Sequence, residues 1–332
     1  MNAMKLDTLP EAFAVSLQDS MFIYANGEQA DSYLHGQLTV NINKLGNDSV
    51  RYTSHCDNKG KAWSLSFVTR FNDGVVMLVN KDAGARSLAE LNKYGVFSKV
   101  DITDESDHFT QLYMSNALAE TLCLSIFSSL PREPLTKVTS KDGFIFKSDL
   151  STPGYYVVLR SEIASTLLSK IAEQKSEVYD HSVLNALRIK DAIPDISGST
   201  VGEYVPQMFN VQAINGIDFD KGCYMGQEVV ARTRFLGKNK RAAFAFKIDS
   251  AVPVNVGDSI EKMAGEHWRS GGTVITAATL GNETWFMAVV ANDTSCDDIH
   301  RLAENPSITC YPITLPYSIE QAASNLVKKR RQ

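Results

Sequence analysis

The chain has 332 residues, 44% of them hydrophobic and 21% charged, with a formal net charge of −5. That length implies two or three domains of about 100–150 residues each, and the composition excludes a fibrous or wholly disordered protein. The acidic balance argues against a general nucleic-acid binder, and no run approaches the roughly 20 apolar residues that span a bilayer.

Along the chain, Phe13 to Leu17 and Met21 to Tyr24 read as extended, followed by a helical Glu28 to His35 that leads into Gly36-Gln37-Leu38-Thr39. Arg51 to Cys56 and Lys61 to Phe71 have the text of hairpin arms. Between them, Asp57-Asn58-Lys59-Gly60 supplies residues that tolerate left-handed backbone angles. Asp73-Gly74 turns into a strand over Val75 to Val79. Asp82 to Tyr94 places Leu88, Leu91 and Tyr94 on one helical face, and Phe97 to Ile102 reads as the strand after it. From Phe109 to about Leu187 the same grammar repeats, with helices at Ala117 to Phe127 and Ser161 to Ala172 around an extended Tyr155 to Leu159.

Hairpins interleaved with helices predict α+β units with mixed or antiparallel sheets, divided roughly into 1–104 and 105–241. From Ala242 the text changes to short strands at Ala243 to Ile248, Gly257 to Ile260, Gly272 to Ala278, Thr284 to Val290 and Ile308 to Ile313. This predicts a small β-barrel or sandwich over 242–319. Residues 320–332, ending Lys328-Lys329-Arg330-Arg331-Gln332, read as a solvated basic tail.

Met1 to Asp7 lacks the basic-then-apolar pattern of a secretory leader, so a cytosolic location is expected. The five cysteines, at 56, 123, 223, 296 and 310, are odd in number and widely spaced, so reduced thiols are expected. None of the six histidines sits at metal-binding spacing from another. His55-Cys56-Asp57 does not make a metal cluster, because neighbours on a strand point to opposite faces. The chain has no G-x-G-x-x-G, no G-x-x-x-x-G-K-[ST] and no G-x-S-x-G, which leaves nucleotide cradles of those kinds and a serine nucleophile elbow unsupported.

The strongest chemical signal is Lys221-Gly222-Cys223-Tyr224-Met225-Gly226-Gln227-Glu228. A cation beside a cysteine favours its thiolate, as does a helix N-terminus, and the glycines allow unusual backbone angles and close approach. The run from Gln227 fits either a helix or a strand; a helix would bring Glu228 and Arg232 together at i,i+4. Arg232, Arg234, Lys238, Lys240 and Arg241 then place five cations in ten residues. They form either an anion site or a solvated face balancing acids elsewhere.

These eight residues, with Val230-Ala231-Arg232 after them, resemble the K-G-C-Y-x-G-Q-E signature of the YgfZ-type folate-binding proteins, relatives of the glycine cleavage T-protein. Four further segments resemble that family in order: Tyr33 to Thr39, Cys56 to Lys61, Lys93-Tyr94 with Val96 to Val100, and Val205-Pro206-Gln207. Leu315-Pro316-Tyr317-Ser318 fits as well, so nearly the whole chain is covered.

The resemblance implies a T-protein-like arrangement of two α+β domains around a central channel plus a C-terminal β-barrel. It also implies tetrahydrofolate or a derivative as ligand, and a role in making or repairing iron–sulfur proteins, including the enzyme that methylthiolates tRNA. Cys223 would then be the functional thiol, with Lys221 lowering its pKa and Tyr224, Gln227 and Glu228 shaping its loop. The cations, Arg232, Arg234 and Arg241 among them, would neutralise a glutamyl tail. Two departures concern the pocket: Lys190 stands where T-protein relatives place a pterin-binding glutamate, and Ser20 and Leu184 stand where some relatives carry tryptophans. The alternatives are a folate-dependent aminomethyl or one-carbon transferase, and a scaffold for which folate is a structural ligand.

Overall fold

The computed structural model describes residues 5–235 and 239–319. Strands β1 (Phe13–Ser16) and β2 (Ser20–Asn26) precede helix α1 (Ala30–His35). The predicted hairpin follows as β3 (Val50–Cys56) and β4 (Ala62–Phe71), then β5 (Gly74–Asn80), helix α2 (Lys81–Gly95) and β6 (Asp101–Asp104). The turn forms because Asp57 Oδ1 accepts the backbone N–H groups of Lys59 and Lys61 at 2.9 and 2.8 Å, while Gly60 takes φ +73°. That use of Asp57 gives His55-Cys56-Asp57 a structural role.

The first sheet has the order β3-β4-β5-β2-β6. Nine of the ten residues of β4 are buried, as expected of a strand covered on both faces. One cover is α2, which packs on β2, β4 and β5. Its N-terminus is capped by the Asn80 side chain, which accepts from Asp82 N.

The strand predicted from Phe97 begins only at Asp101. Ser98 N bonds to Gly95 O, Val100 N to Ser98 O, and Gln29 takes both backbone polar groups of Lys99. These bonds bend the chain and leave Phe97 98% exposed.

The second sheet is built from β7 (Phe109–Ser115), β8 (Lys137–Ser140), β9 (Gly143–Lys147), β10 (Gly154–Arg160) and β11 (Glu177–Tyr179), in the order β11-β1-β7-β10-β9-β8. The sheet thus draws on both sides of the division expected near residue 104, since β1 pairs with β7 and β11. Helices α3 (Asn116–Leu122) and α4 (Ser161–Glu173) cover its outer face around Leu118, Leu122, Leu167 and Ile171.

Its inner face meets the first sheet through aromatic side chains. Phe22 stacks on Phe109 at 4.5 Å, and Phe67 lies 5.1 Å from Phe146 and 5.0 Å from Tyr156. Helix α5 (His181–Lys190) crosses beside this interface.

After helix α6 (Gln227–Phe235) come β12 (Arg241–Ile248), β13 (Ser259–Ala264), β14 (His267–Leu280), β15 (Glu283–Ala291), β16 (His300–Leu302) and β17 (Asn305–Cys310). They form one sheet in the order β12-β15-β14-β13-β16-β17 around Phe246, Phe286 and Val274. The chain beyond β17 returns to β12, where Pro312 bridges Phe246 and Ile313 N donates to Ala245 O at 2.7 Å. The sheet thereby curls toward a barrel, and α5 packs on β14 and β15. No helix among the described residues is long and apolar enough to cross a membrane.

Candidate functional site

The Lys221–Glu228 loop is held by segments far from it in sequence. Asp218 N bonds to Thr39 O at 2.9 Å, and the Asp218 carboxylate takes Asn41 N and forms an ion pair with Arg51. Met225 N bonds to Gly36 O at 3.0 Å. Gly226, at φ +80°, presses against the hairpin turn so closely that a Cβ there would lie 2.4 Å from Asp57 O. Beyond the loop, Gln207 Nε2 donates to Val230 O at 2.6 Å. The segments around His35, Asp57 and Gln207, which resemble the family separately in sequence, therefore converge on this one loop.

Lys221 is 8% exposed, and its ammonium donates to the carbonyls of His35 and Leu38, the latter at 2.6 Å. The His35 carbonyl is the last of α1, where unpaired C=O groups and the helix dipole favour a cation, and Leu38 O lies in the segment that follows it. Burial pulls the Lys221 amine down from 10.5 to about 8, with Asp218 opposing the shift. The ammonium also lies 4.8 Å from the centre of the Tyr224 ring, which is buried beneath it. Lys221 therefore does not hydrogen-bond the thiol; its observed work is to tie the loop to α1.

Cys223 is exposed and has no hydrogen-bond partner among the described residues. His35 reaches the loop next to it, its Nε2 3.2 Å from where a Cβ of Gly222 would stand. Burial first, and then Lys221, hold the His35 imidazole below its ordinary pKa.

The run from Gln227 is helical, and Glu228 pairs with Arg232 at 2.5 Å, both side chains largely exposed. The Arg234 guanidinium lies 4.0 Å from the Phe219 ring. Arg241 is exposed at the start of β12, and Lys238 lies outside the described residues, as does the basic tail 320–332.

A separate cavity opens between the two N-terminal sheets, and none of Cys223, Lys221, Tyr224, Gln227, Glu228, Arg232, Arg234 or Arg241 lines it. Its apolar walls include Leu17, Leu65, Phe67 and Leu78, while Asn80, Gln111, Arg188 and Asp195 supply polar groups. Ser20 and Leu184 both line it. Three buried polar atoms of lining residues have no partner: Ser66 Oγ, Tyr156 Oη and Arg188 Nε. Buried polar groups are nearly always satisfied, so these mark a place for water or ligand.

Arg188 Nη2 donates to Pro194 O at 2.8 Å. Burial raises the Asp195 carboxyl above the usual carboxylate range, opposed first by Arg188 and then by Ile196 N and Asn80. Arg188 itself is raised, because Asp195 and the tyrosines outweigh its burial. At the mouth, His181 Nδ1 meets Asp19 Oδ2 at 2.6 Å.

Helix α5 (His181–Lys190) is not among the elements expected from the sequence, and neither is this site. Its signal was the spacing of His181, Leu184, Asn185 and Arg188 at i, i+3, i+4 and i+7, which puts all four on one helical face.

Tyr52 separates this cavity from a wider cleft of about 500 Å³ lined by Asp149, Ser151 and Asp191. Tyr52 Oη donates to Asp149 at 2.9 Å, and Asp191 accepts the Ser151 backbone N–H and hydroxyl, both at 2.6 Å. Lys190, one residue earlier, is exposed.

Comparison with known proteins accounts for this architecture. Over residues 239–305 the chain matches the family model described as "YgfZ, beta-barrel domain". It is 34% identical over 320 residues to the tRNA-modifying protein YgfZ of Aliivibrio fischeri, covering 96% of each chain. To the protein of that name from Colwellia psychrerythraea it is 34% identical over 317 residues, covering 95% of this chain and 96% of the other. Its fold resembles the crystal structure of glycine cleavage system aminomethyltransferase T from Bartonella henselae, with a TM-score of 0.74 over 95% of this chain and 89% of that one, at 15% identity. Two α+β sheets around a central cavity, a barrel-like C-terminal sheet and end-to-end similarity to these proteins agree: the chain belongs to the YgfZ family.

Proposed function

We propose that the chain is a folate-binding accessory protein of tRNA modification. In this reading it supports the synthesis or repair of iron–sulfur clusters, including those of the tRNA-methylthiolating enzyme, through the Cys223 thiol. The observation that carries it is the exposed Cys223 on a loop held by α1, the β3–β4 turn and the segment at Gln207. Such anchoring fixes a reactive group in place while leaving it open to a macromolecular partner. The tRNA-modifying name of the relatives agrees with it.

The central cavity fits a folate ring in its chemistry. Apolar walls suit a flat heterocycle, and the unpartnered Ser66, Tyr156 and Arg188 atoms suit its polar edge. The free space is only about 70 Å³, room for several waters, so ring entry requires the walls to part. The exposed Asp19–His181 pair at the mouth is the contact best placed to yield. A bound reduced folate would supply nitrogens that carry one-carbon units. The chain's own residues orient the ring and exclude water from it, while Arg232, Arg234 and Arg241 neutralise a glutamyl tail, and Tyr224, Gln227 and Glu228 hold the Cys223 loop.

Calorimetric titration with 5-formyltetrahydrofolate tests the ligand half, and absence of saturable binding would sink it. A Cys223→Ala variant should fail to restore iron–sulfur enzyme activity in a deletion strain; full restoration removes the thiol from the mechanism. The likeness of fold to an aminomethyltransferase favours a second reading, folate-dependent aminomethyl transfer. Turnover of an aminomethyl donor by the purified protein would establish it.

A further inference from the structure

The end of α2 presents apolar side chains that the described residues leave uncovered. Tyr94 is exposed, Val96 is 71% and Phe97 98% exposed, and the three lie in a segment that resembles the family yet is none of those that converge on the Cys223 loop. Their exposure is held in place. Gln29 N donates to Lys99 O at 3.0 Å, Gln29 Oε1 accepts Lys99 N at 2.7 Å, and Tyr33 Oη donates to Leu91 O at 2.5 Å. Clustered apolar side chains in water mark an interaction site, and ordering them beforehand lowers the cost of binding.

These supports come from α1 and its N-cap, and the other end of α1 carries the Cys223 loop. There Lys221 Nζ donates to His35 O, and Met225 N donates to Gly36 O at 3.0 Å. A helix of six residues separates the two supports by about 10 Å. Along it Ala30, Tyr33 and Leu34 are buried, while Gln29 and Ser32 are exposed and His35 is half-buried, at i, i+3 and i+6 on the other side. An open strip thus runs from the Phe97 bend to the Cys223 loop. An interface of standard size, about 800 Å² per partner, covers both ends.

Charge around the bend narrows the choice of partner. Residues 86–100 carry Arg86, Lys93 and Lys99 against one acid, Glu90, in a chain whose net charge is −5. Glu90 is buried and takes Arg86 at 2.9 Å as well as Lys93 at 3.3 Å, two cations for one carboxylate. Lys99 pairs with Glu28 at 2.7 Å, but both side chains are exposed, and such a pair holds weakly. Exposed Glu28 and Asp101 interrupt the continuous track of cations that a phosphate backbone needs.

We propose that Tyr94, Val96 and Phe97 anchor a docking surface that continues along α1 to Cys223. Its occupant is a folded protein with an apolar pocket for Phe97, rimmed by carboxylates that pair with Lys93 and Lys99. This rests on the reading of Cys223 as a thiol open to a macromolecular partner, and adds where that partner grips.

Photocrosslinking of the full chain, in a strain lacking its own copy, tests it. Phe97 or Ser32 is replaced by p-benzoylphenylalanine, with the same probe at Leu124, exposed just past α3, for comparison. After irradiation the adducts are identified by mass spectrometry. The expected result is one protein captured from both position 97 and position 32 and not from position 124. Phe97→Ala should lower the position-32 adduct about tenfold, as loss of an interface anchor does, with the unfolding midpoint unchanged. Lys93→Glu with Lys99→Glu should lower it severalfold.

Different proteins at positions 97 and 32, an RNA, a second copy of this chain, an equal adduct at position 124 or no adduct overturns the docking surface. So does a position-32 adduct that Phe97→Ala leaves unchanged; should that variant not fold, the shared adduct decides. Full restoration of iron–sulfur enzyme activity by Cys223→Ala is read separately and overturns the thiol reading.

Discussion

Gly226 and Gly60 meet so closely that a Cβ on Gly226 would lie 2.8 Å from the Gly60 Cα, and both sit at positive φ. The loop that carries Cys223 and the turn of the β3–β4 hairpin are thereby joined at two positions where only glycine fits. Gly226→Ala should cost about 1–3 kcal/mol, because it adds left-handed strain to a clash with Asp57 O. Denaturant unfolding checks it, and an unchanged midpoint would mean that the two segments do not support one another.

Lys221 yields a pH dependence. Its amine titrates near 8 in the folded chain and at 10.5 when unfolded, so between those values the unfolded chain binds a proton that the folded chain does not. Stability contributed through Lys221 therefore rises with pH across that window. The neutral amine still has two N–H donors for His35 O and Leu38 O. Wild type compared with Lys221→Met should gain about 1–2 kcal/mol from pH 7.5 to 10, less than the full shift implies because part of the group is solvent-screened. The comparison removes the matching contribution of Lys137, which burial also lowers to about 8.

Thiol reactivity should separate the cysteines. Burial pushes Cys56, Cys123 and Cys310 up to about 12, whereas Cys223 and Cys296 are exposed. Brief alkylation of the native protein followed by mass spectrometry should label residues 223 and 296, and denaturation should release the other three. Native labelling of Cys56 would contradict the packing of the hairpin.

Tyr156→Phe separates stability from binding. Its hydroxyl is buried without a partner, so removing it should change the stability of the unliganded protein by no more than about 0.5–1 kcal/mol. Affinity for 5-formyltetrahydrofolate should fall several-fold. An unaltered affinity would place the ligand elsewhere.

Ala192 ends α5 with φ +54°, a left-handed position normally given to glycine. Ala192→Gly should stabilise the protein by about 0.5–1 kcal/mol, read as a higher unfolding midpoint. Destabilisation would show that the methyl group contributes more through packing than its backbone strain costs.

The sequence by itself determined the local elements and the family. Turn chemistry at Asp57 to Gly60, the short strands after Ala242 and the glycine-framed cysteine are all short-range, whereas α2 buries Ala83, Gly84, Ser87 and Leu91 and leaves Tyr94, expected on its apolar face, 43% exposed.

Only the tertiary structure decided what each chemical group does. It turned Lys221 into α1, moved β1 into the sheet of residues 109–179, bent the chain at Phe97 out of a strand and brought Arg188, Asp195, Tyr156 and Ser66 to one cavity. A cavity is bounded by residues as far apart as Leu17 and Asp195, and an ammonium takes whichever carbonyls packing leaves unpaired. No local pattern encodes either, since both arise when distant apolar faces close on one another and strand their polar groups between them.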